Sequence, residues 1–232
     1  MRLRSAVLAS ATLSLGIFPL PAGAQSPGRL IDEGVFLLTR GGAPAGSETF
    51  RIVGVGDGTG DLRATAQQIS NGQRITSSLL IDSTGAPVTY QLNVFKGKTP
   101  VLHLQAQGRP GRLSALSSDA QRNESMREYV VVPGATAIVD DPLVHEFYFL
   151  PLLRRSAPIH LISPWSGGQQ ALAVSSGGME DIVVGGRHTT AVRYTVGSGG
   201  NRREFWVDAK GRMLRFESQA QQLVAVRDEL PD

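Results

Sequence analysis

The 232-residue chain contains no cysteine. That absence excludes a disulfide framework, a thiol nucleophile, thiolate-ligated zinc, iron–sulfur clusters and a lipid-modified N-terminal cysteine. Histidine is scarce too: His103, His145, His160 and His188 stand singly, and a lone histidine is more often a surface or hydrogen-bonded core residue than a metal ligand. Nothing in the pattern calls for a cofactor or a metal.

An excess of one charge is also missing. Lys and Arg number 23 against 20 Asp and Glu, and two of the surplus cations, Arg2 and Arg4, belong to the only long apolar segment. Met1-Arg2-Leu3-Arg4, the apolar run over residues 6–20 and Ala22-Gly23-Ala24 before Gln25 have the order of a secretory signal peptide: basic, apolar, small-x-small. The run is shorter than the roughly 20 residues a membrane-spanning helix needs and is interrupted by Gly16 and Pro19. The expectation is a signal peptide over 1–24 and a single antiparallel β domain over 25–232, periplasmic or secreted, with no integral membrane segment after cleavage. Without Arg2 and Arg4 the chain carries 21 basic against 20 acidic side chains. Arg154-Arg155 and Arg202-Arg203 are short, isolated pairs, so no nucleic-acid partner is expected.

Helix signals are sparse. What dominates is period-two alternation broken every eight to twelve or so residues by glycine-containing turns, the pattern of an antiparallel sheet. Val88, Tyr90, Leu92 and Val94 alternate with Thr89, Gln91 and Asn93; Val192, Tyr194 and Val196 repeat the pattern, and Leu62, Ala64 and Ala66 do so with small side chains. Ile81-Asp82-Ser83-Thr84-Gly85 and Val207-Asp208-Ala209-Lys210-Gly211 read as hairpin loops, with Asp accepting backbone N–H bonds and Gly taking a positive φ. Their likeness hints at an internal duplication. Gly41-Gly42-Ala43-Pro44-Ala45-Gly46 and Gly197-Ser198-Gly199-Gly200 read as further connections. The fold class expected is all-β: a large curved antiparallel sheet, a β-roll or half-barrel, with one short helix.

That helix is placed at residues 141–150, with Asp141 as N-cap, Pro142 as the first helical residue and Pro151 as the stop. Leu143, Phe147 and Leu150 fall on one side and His145, Tyr148 and Phe149 on the other, so both faces are apolar or aromatic and the helix is expected to be buried. Ile159-His160-Leu161-Ile162-Ser163-Pro164-Trp165 reads as a strand ended by proline.

Motifs of chemistry fail in detail. In Gly54-Val55-Gly56-Asp57-Gly58-Thr59-Gly60, Thr59 takes the place of the third glycine of a dinucleotide loop. Gly97-Lys98-Thr99 ends like a phosphate loop, but Leu92 stands where its first glycine belongs. His145-Glu146 opens like a zinc-protease helix, yet Phe149 replaces the second histidine, and there is no G-x-S-x-G elbow. One constellation remains: Asp140, Asp141, His145 and Glu146 around a helix start, where carboxylates and an imidazole could share acid–base work or simply cap the helix.

Gly34-Val35-Phe36, Gly46-Ser47-Glu48, Val184-Gly185-Gly186-Arg187, Val192-Arg193-Tyr194, Phe205-Trp206-Val207-Asp208 and Gly211-Arg212-Met213-Leu214-Arg215 resemble a family of exported bacterial proteins of unknown function. Its domain is similar to the β-roll assigned to glycolipid binding and, more distantly, to periplasmic lipoprotein carriers. The resemblance spans most of residues 33–229 and rests on hairpins, so it implies a fold and carries over no catalytic residue.

Three functions follow as expectations. The first is a non-enzymatic binding or carrier protein for an apolar or lipid-like ligand, lined by His145, Phe147, Tyr148, Phe149, Trp165 and Trp206. The second is a hydrolase using His145 with Asp141 or Glu146. The third is an envelope scaffold with an exposed apolar patch.

Overall fold

The computed structural model describes residues 28–56, 58–153 and 158–232. The segment expected as a signal peptide and the pair Arg154-Arg155 lie outside the described residues. Eight strands run as consecutive hairpins: β1 (Arg29–Arg40), β2 (Ala43–Val55), β3 (Asp61–Ser70), β4 (Gln73–Ile81), β5 (Pro87–Lys96), β6 (Thr99–Arg109), β7 (Arg112–Asp119) and β8 (Glu124–Val130). Then come β9 (Thr136–Ile138), a 3₁₀ turn (His145–Phe149), α1 (Leu150–Leu153), β10 (Ile159–Ser163) and β11 (Gly168–Leu172). Five more hairpin-linked strands follow: β12 (Val174–Val184), β13 (Arg187–Val196), β14 (Arg203–Val207), β15 (Met213–Ser218) and β16 (Leu223–Arg227).

Thirteen of these strands form one antiparallel sheet in the order β12-β13-β14-β15-β16-β1-β2-β3-β4-β5-β6-β7-β8, curved but not closed into a barrel. The two arms, β12 to β16 and β1 to β8, meet where β1 pairs with β16, Phe36 opposite Arg227 and Arg40 opposite Leu223. The other three strands make a small sheet, β11-β10-β9, with β9 and β10 parallel.

The alternating residues face inward as their spacing requires. Tyr90, Leu92 and Val94 on β5, Ala64 and Ala66 on β3, and Tyr194 and Val196 on β13 are all buried in one apolar cluster. Over this face lies the segment from β9 through α1. Leu143, Val144, Phe147, Phe149, Leu150 and Leu153 belong to the same cluster, and the Phe147 ring sits 4.5 Å from Phe216 and 6.2 Å from Phe205. The opposite face of the C-terminal arm carries a smaller cluster of Ile182, Val184, Ala191, Trp206 and Leu214.

The short helix differs from the expectation in its bounds and its cap. The helical stretch starts at His145 as a 3₁₀ turn, and only Leu150–Leu153 is α-helical. Pro151 falls in the first turn of α1, where a missing N–H costs nothing, so it does not stop the helix. Asp141 is not the N-cap: that position is Val144, which has no side-chain cap, and the Asp141 carboxylate bonds Arg203 instead.

The two Asp-to-Gly loops form as read. Asp82 Oδ1 accepts the N–H groups of Thr84 and Ala86, Asp208 Oδ1 those of Lys210 and Arg212, and Gly85 and Gly211 have φ of 83° and 85°. A third loop of the same build joins β7 to β8, with Asp119 accepting from Gln121 and Asn123 and Arg122 at φ 64° in the glycine position. One solution to turning an antiparallel pair thus recurs three times, which needs no duplication. The Gly41-Gly42 turn is tighter than expected, since Ala43 already begins β2.

Candidate functional site

A polar network lies inside this apolar face, directly beneath the covering segment. Glu48 on β2 and Gln68 on β3 are cross-strand partners, and Ser77 on β4 is opposite Ala66. All three share the inward parity of the core residues beside them, and the small Ala64 and Ala66 leave room for the incoming segment. Glu48 is fully buried and receives four donors. Its Oε2 accepts from Val144 N–H at 2.9 Å and Gln68 Nε2 at 3.1 Å, and its Oε1 from His145 N–H at 2.7 Å and His145 Nδ1 at 2.9 Å. Gln68 Nε2 also donates to the Pro142 carbonyl at 3.0 Å.

A carboxylate only accepts, so His145 Nδ1 carries the proton on the Glu48 side. In the neutral ring Nε2 is then an acceptor, and Ser77 Oγ stands 3.2 Å from it as donor. Ser77, His145 and Glu48 thereby take the order of nucleophile, base and orienting acid found in hydrolytic triads. His145 and Glu48 are wholly buried and Ser77 is 6% exposed. In this arrangement the network pins the cover to the sheet.

A second chain of polar groups leads from the interior to the surface. Tyr90 O–H donates to Asp140 Oδ2 at 2.8 Å; Ser163 Oγ and Trp165 N–H donate to Asp140 Oδ1 at 2.5 and 3.0 Å. Asp140 N–H donates to Glu146 Oε2 at 2.5 Å. Burial pushes the Asp140 carboxyl up to about 6 against the pull of its three donors. Burial, reinforced by the Asp140 charge, pushes Glu146 well above the usual carboxylate range, and its Oε1 has no partner.

The surface end of this chain is a cleft of about 550 Å³, walled by Val139, Leu161, Ser163 and Trp165 from the small sheet and its flanks, and by Asp141 and Arg203 on the far side. It lies in the seam between the small sheet and the start of β14 in the large one. On one side of the seam the Gln169 side chain pairs with β8 as a strand would: its Nε2 donates to Val130 O at 2.7 Å and its Oε1 accepts Val130 N–H at 3.1 Å. Arg127 adds a bond to Gly167 O at 3.2 Å. On the other side Arg203 Nη2, from β14, reaches Asp141 Oδ2 at 2.5 Å.

The six residues proposed from sequence to line a ligand site are not gathered in one place. Trp165 is in the cleft wall, half-buried. Phe147, Tyr148 and Phe149 are buried in the core, and His145 is in the network with Glu48. Trp206 lies on the opposite face of the sheet, its Nε1 donating to Glu180 at 2.9 Å and the Arg215 guanidinium 5.3 Å from its ring. His145 meets neither Asp141 nor Glu146: Asp141 turns to Arg203, and Glu146 to the Asp140 backbone. Glu48, Gln68, Ser77, Tyr90 and Arg203 escaped sequence reasoning, although Glu48, Gln68 and Ser77 were legible as polar residues at core parity.

Among the described residues no group of three or more His, Asp or Glu is placed to hold a metal ion, and no helix is long and apolar enough to cross a membrane. No protein-family model matches the chain, and no curated protein matches it in sequence. Among solved structures it is similar to a β-barrel-like protein of domain of unknown function DUF1849 from Brucella abortus, with a TM-score of 0.54 at 11% identity, over 88% of this chain and the whole of that one. At that identity the likeness is one of fold.

Proposed function

We propose that the protein is an exported, non-enzymatic binding protein that holds an amphipathic, lipid-like molecule in the seam cleft. The observation that carries this reading is the cleft. Its volume of about 550 Å³ is within the usual range of small-molecule sites, and it joins an apolar wall of Val139, Leu161 and Trp165 to a polar one of Asp141 and Arg203. The concave face itself is filled by the cover, so the ligand is placed at the seam and not between helix and sheet.

Native mass spectrometry of protein purified without detergent tests the binding. A carrier retains a co-purifying amphiphile, and Trp165→Ala lowers the retained fraction. Repeated recovery of empty protein that takes up no added lipid would overturn the reading. Export is tested separately: the chain recovered from the cell envelope should begin at or near Gln25, and an intact Met1 in a soluble cytoplasmic fraction would argue against it.

One observation favours a hydrolase as a second reading, the alignment of Ser77, His145 and Glu48. A fluorophosphonate probe that labels the native protein, and fails on Ser77→Ala, would support it. No labelling of the folded protein leaves the network as a purely structural clasp.

A further inference from the structure

Independently of the seam cleft, we propose that one margin of the outer face of the large sheet docks onto an anionic lipid surface. Leu37, Ser47, Ile69, Arg74 and Phe95 stand opposite one another, strand to strand, as a transverse row over β1 to β5. Each follows or precedes a buried residue, Phe36, Glu48, Gln68, Ile75 and Val94 in turn, so the row points away from the core. Leu37 and Ile69 are both 52% exposed, and Phe95 is half-buried with the Arg74 guanidinium 4.0 Å from its ring centroid. Strand spacing sets Leu37, Ile69 and Phe95 about 10 Å apart.

Charge on this margin has one sign. The turns β1–β2, β3–β4 and β5–β6 fall along it, as alternate turns of consecutive hairpins do, and the segments 37–47, 67–76 and 93–103 hold Arg40, Arg74, Lys96 and Lys98 but no Asp or Glu. Arg40 Nη1 donates to the Gln221 carbonyl at 3.1 Å, Arg74 lies against a ring, and Lys96 and Lys98 are exposed. Among the described residues none of the four has an ion-pair partner. Asp119 and Glu124 at the β7–β8 turn bound the margin on one side. The intervening turns, β2–β3 and β4–β5, lie on the opposite margin and carry Asp61 and Asp82 without a cation.

Cations free of acids are drawn to an anionic surface, each adding about fivefold to binding close to it. The aliphatic side chains in the same row distinguish lipid from a soluble polyanion. A bilayer takes Leu37 and Ile69 into its acyl boundary, whereas a nucleic acid or polyphosphate leaves them in water. The margin with Asp61 and Asp82 is repelled, so the approach has one orientation.

The test sediments protein recovered from the cell envelope with phosphatidylcholine vesicles, with and without phosphatidylglycerol, at low and raised salt. Binding should be at least about 25-fold stronger on the anionic vesicles and fall as salt rises. Lys96→Gln with Lys98→Gln should lower it about 25-fold. Leu37→Thr with Ile69→Thr should lower it roughly tenfold without changing the salt dependence. Both pairs are exposed, and a urea midpoint close to that of the wild type checks that each variant is folded. Lys210→Gln, on the opposite margin, should leave binding unchanged; a loss equal to that of Lys98→Gln would reduce the attraction to net charge and overturn the proposal. Equal binding to both kinds of vesicle, or none to either, also overturns it. So does heparin binding as tight as vesicle binding and indifferent to the Leu37 and Ile69 substitutions, which assigns the margin to a soluble polyanion. The seam ligand is read separately, by native mass spectrometry, so either reading can fail alone.

Discussion

Glu48 holds His145 twice, accepting both its backbone N–H and its ring Nδ1–H on one oxygen from 97 positions away in the chain. A helix start without a cap of its own, at Val144, is thus capped from across the sheet by a buried carboxylate.

Removing that carboxylate strands three buried donors of the cover, so Glu48→Ala should destabilise the protein by about 3–5 kcal/mol. Glu48→Gln, which keeps one accepting oxygen, should cost roughly 1–3 kcal/mol. Urea unfolding checks both: the midpoint falls in that order with the slope unchanged.

Phe147 and Trp165 should respond in opposite ways. Phe147→Ala empties a site between Phe205 and Phe216 and should cost about 3–5 kcal/mol of stability. Trp165→Ala removes a half-buried ring from the cleft wall; it should cost only about 1–2 kcal/mol yet weaken amphiphile binding. Thermal unfolding and a ligand titration on both variants separate the two roles.

Asp140 gives stability a definite pH slope. Its carboxyl rises from 3.8 to about 6 on folding, chiefly through burial. A raised carboxyl contributes stability that is fully present below the unfolded value and lost as pH climbs through the folded one. Between about pH 4 and 7 the wild type should therefore lose roughly 3 kcal/mol through this group. Asp140→Asn, whose amide does not titrate, should flatten that part of the profile, measured as unfolding free energy against pH.

The three aspartate loops offer an internal control on backbone strain. Arg122 takes a left-handed conformation that Gly85 and Gly211 take without penalty. Arg122→Gly should stabilise by up to about 1 kcal/mol. Gly211→Ala, with open space around the added carbon, should destabilise by about as much. Chemical denaturation of the two variants should show shifts of opposite sign.

Alternation along β3, β5 and β13 was enough to read the sheet and its inward face, because the period-two signal is local. The Asp82 and Asp208 loops were equally plain, whereas the Asp119 loop hid behind Arg122, which lacks the glycine signal. The helix start was misplaced because Asp141-Pro142 has the local signature of a cap, while the true cap, Glu48, is distant in sequence. The pairing of Glu48 with His145, and of Asp141 with Arg203, depends on which strands become neighbours. That information is not carried by any window of the chain. Glu48, Gln68 and Ser77 did leave a trace: each is a polar residue in step with apolar ones, and such residues are buried with a partner or not at all.

The junction of the two arms bears on how the chain is made. Along β1, Asp32 waits for Arg227, 195 positions downstream, to complete its ion pair. At about 5–20 residues per second a ribosome needs some 10–40 s to cover that interval. Strands β2 to β8 can zip up as hairpins during that time, but β1 stands as a bare edge, its Phe36 and Leu38 face already apolar. A strand that ends up in the interior of the sheet, sixth of thirteen, therefore spends the nascent chain's lifetime as its margin, open to pairing with other chains until β16 arrives.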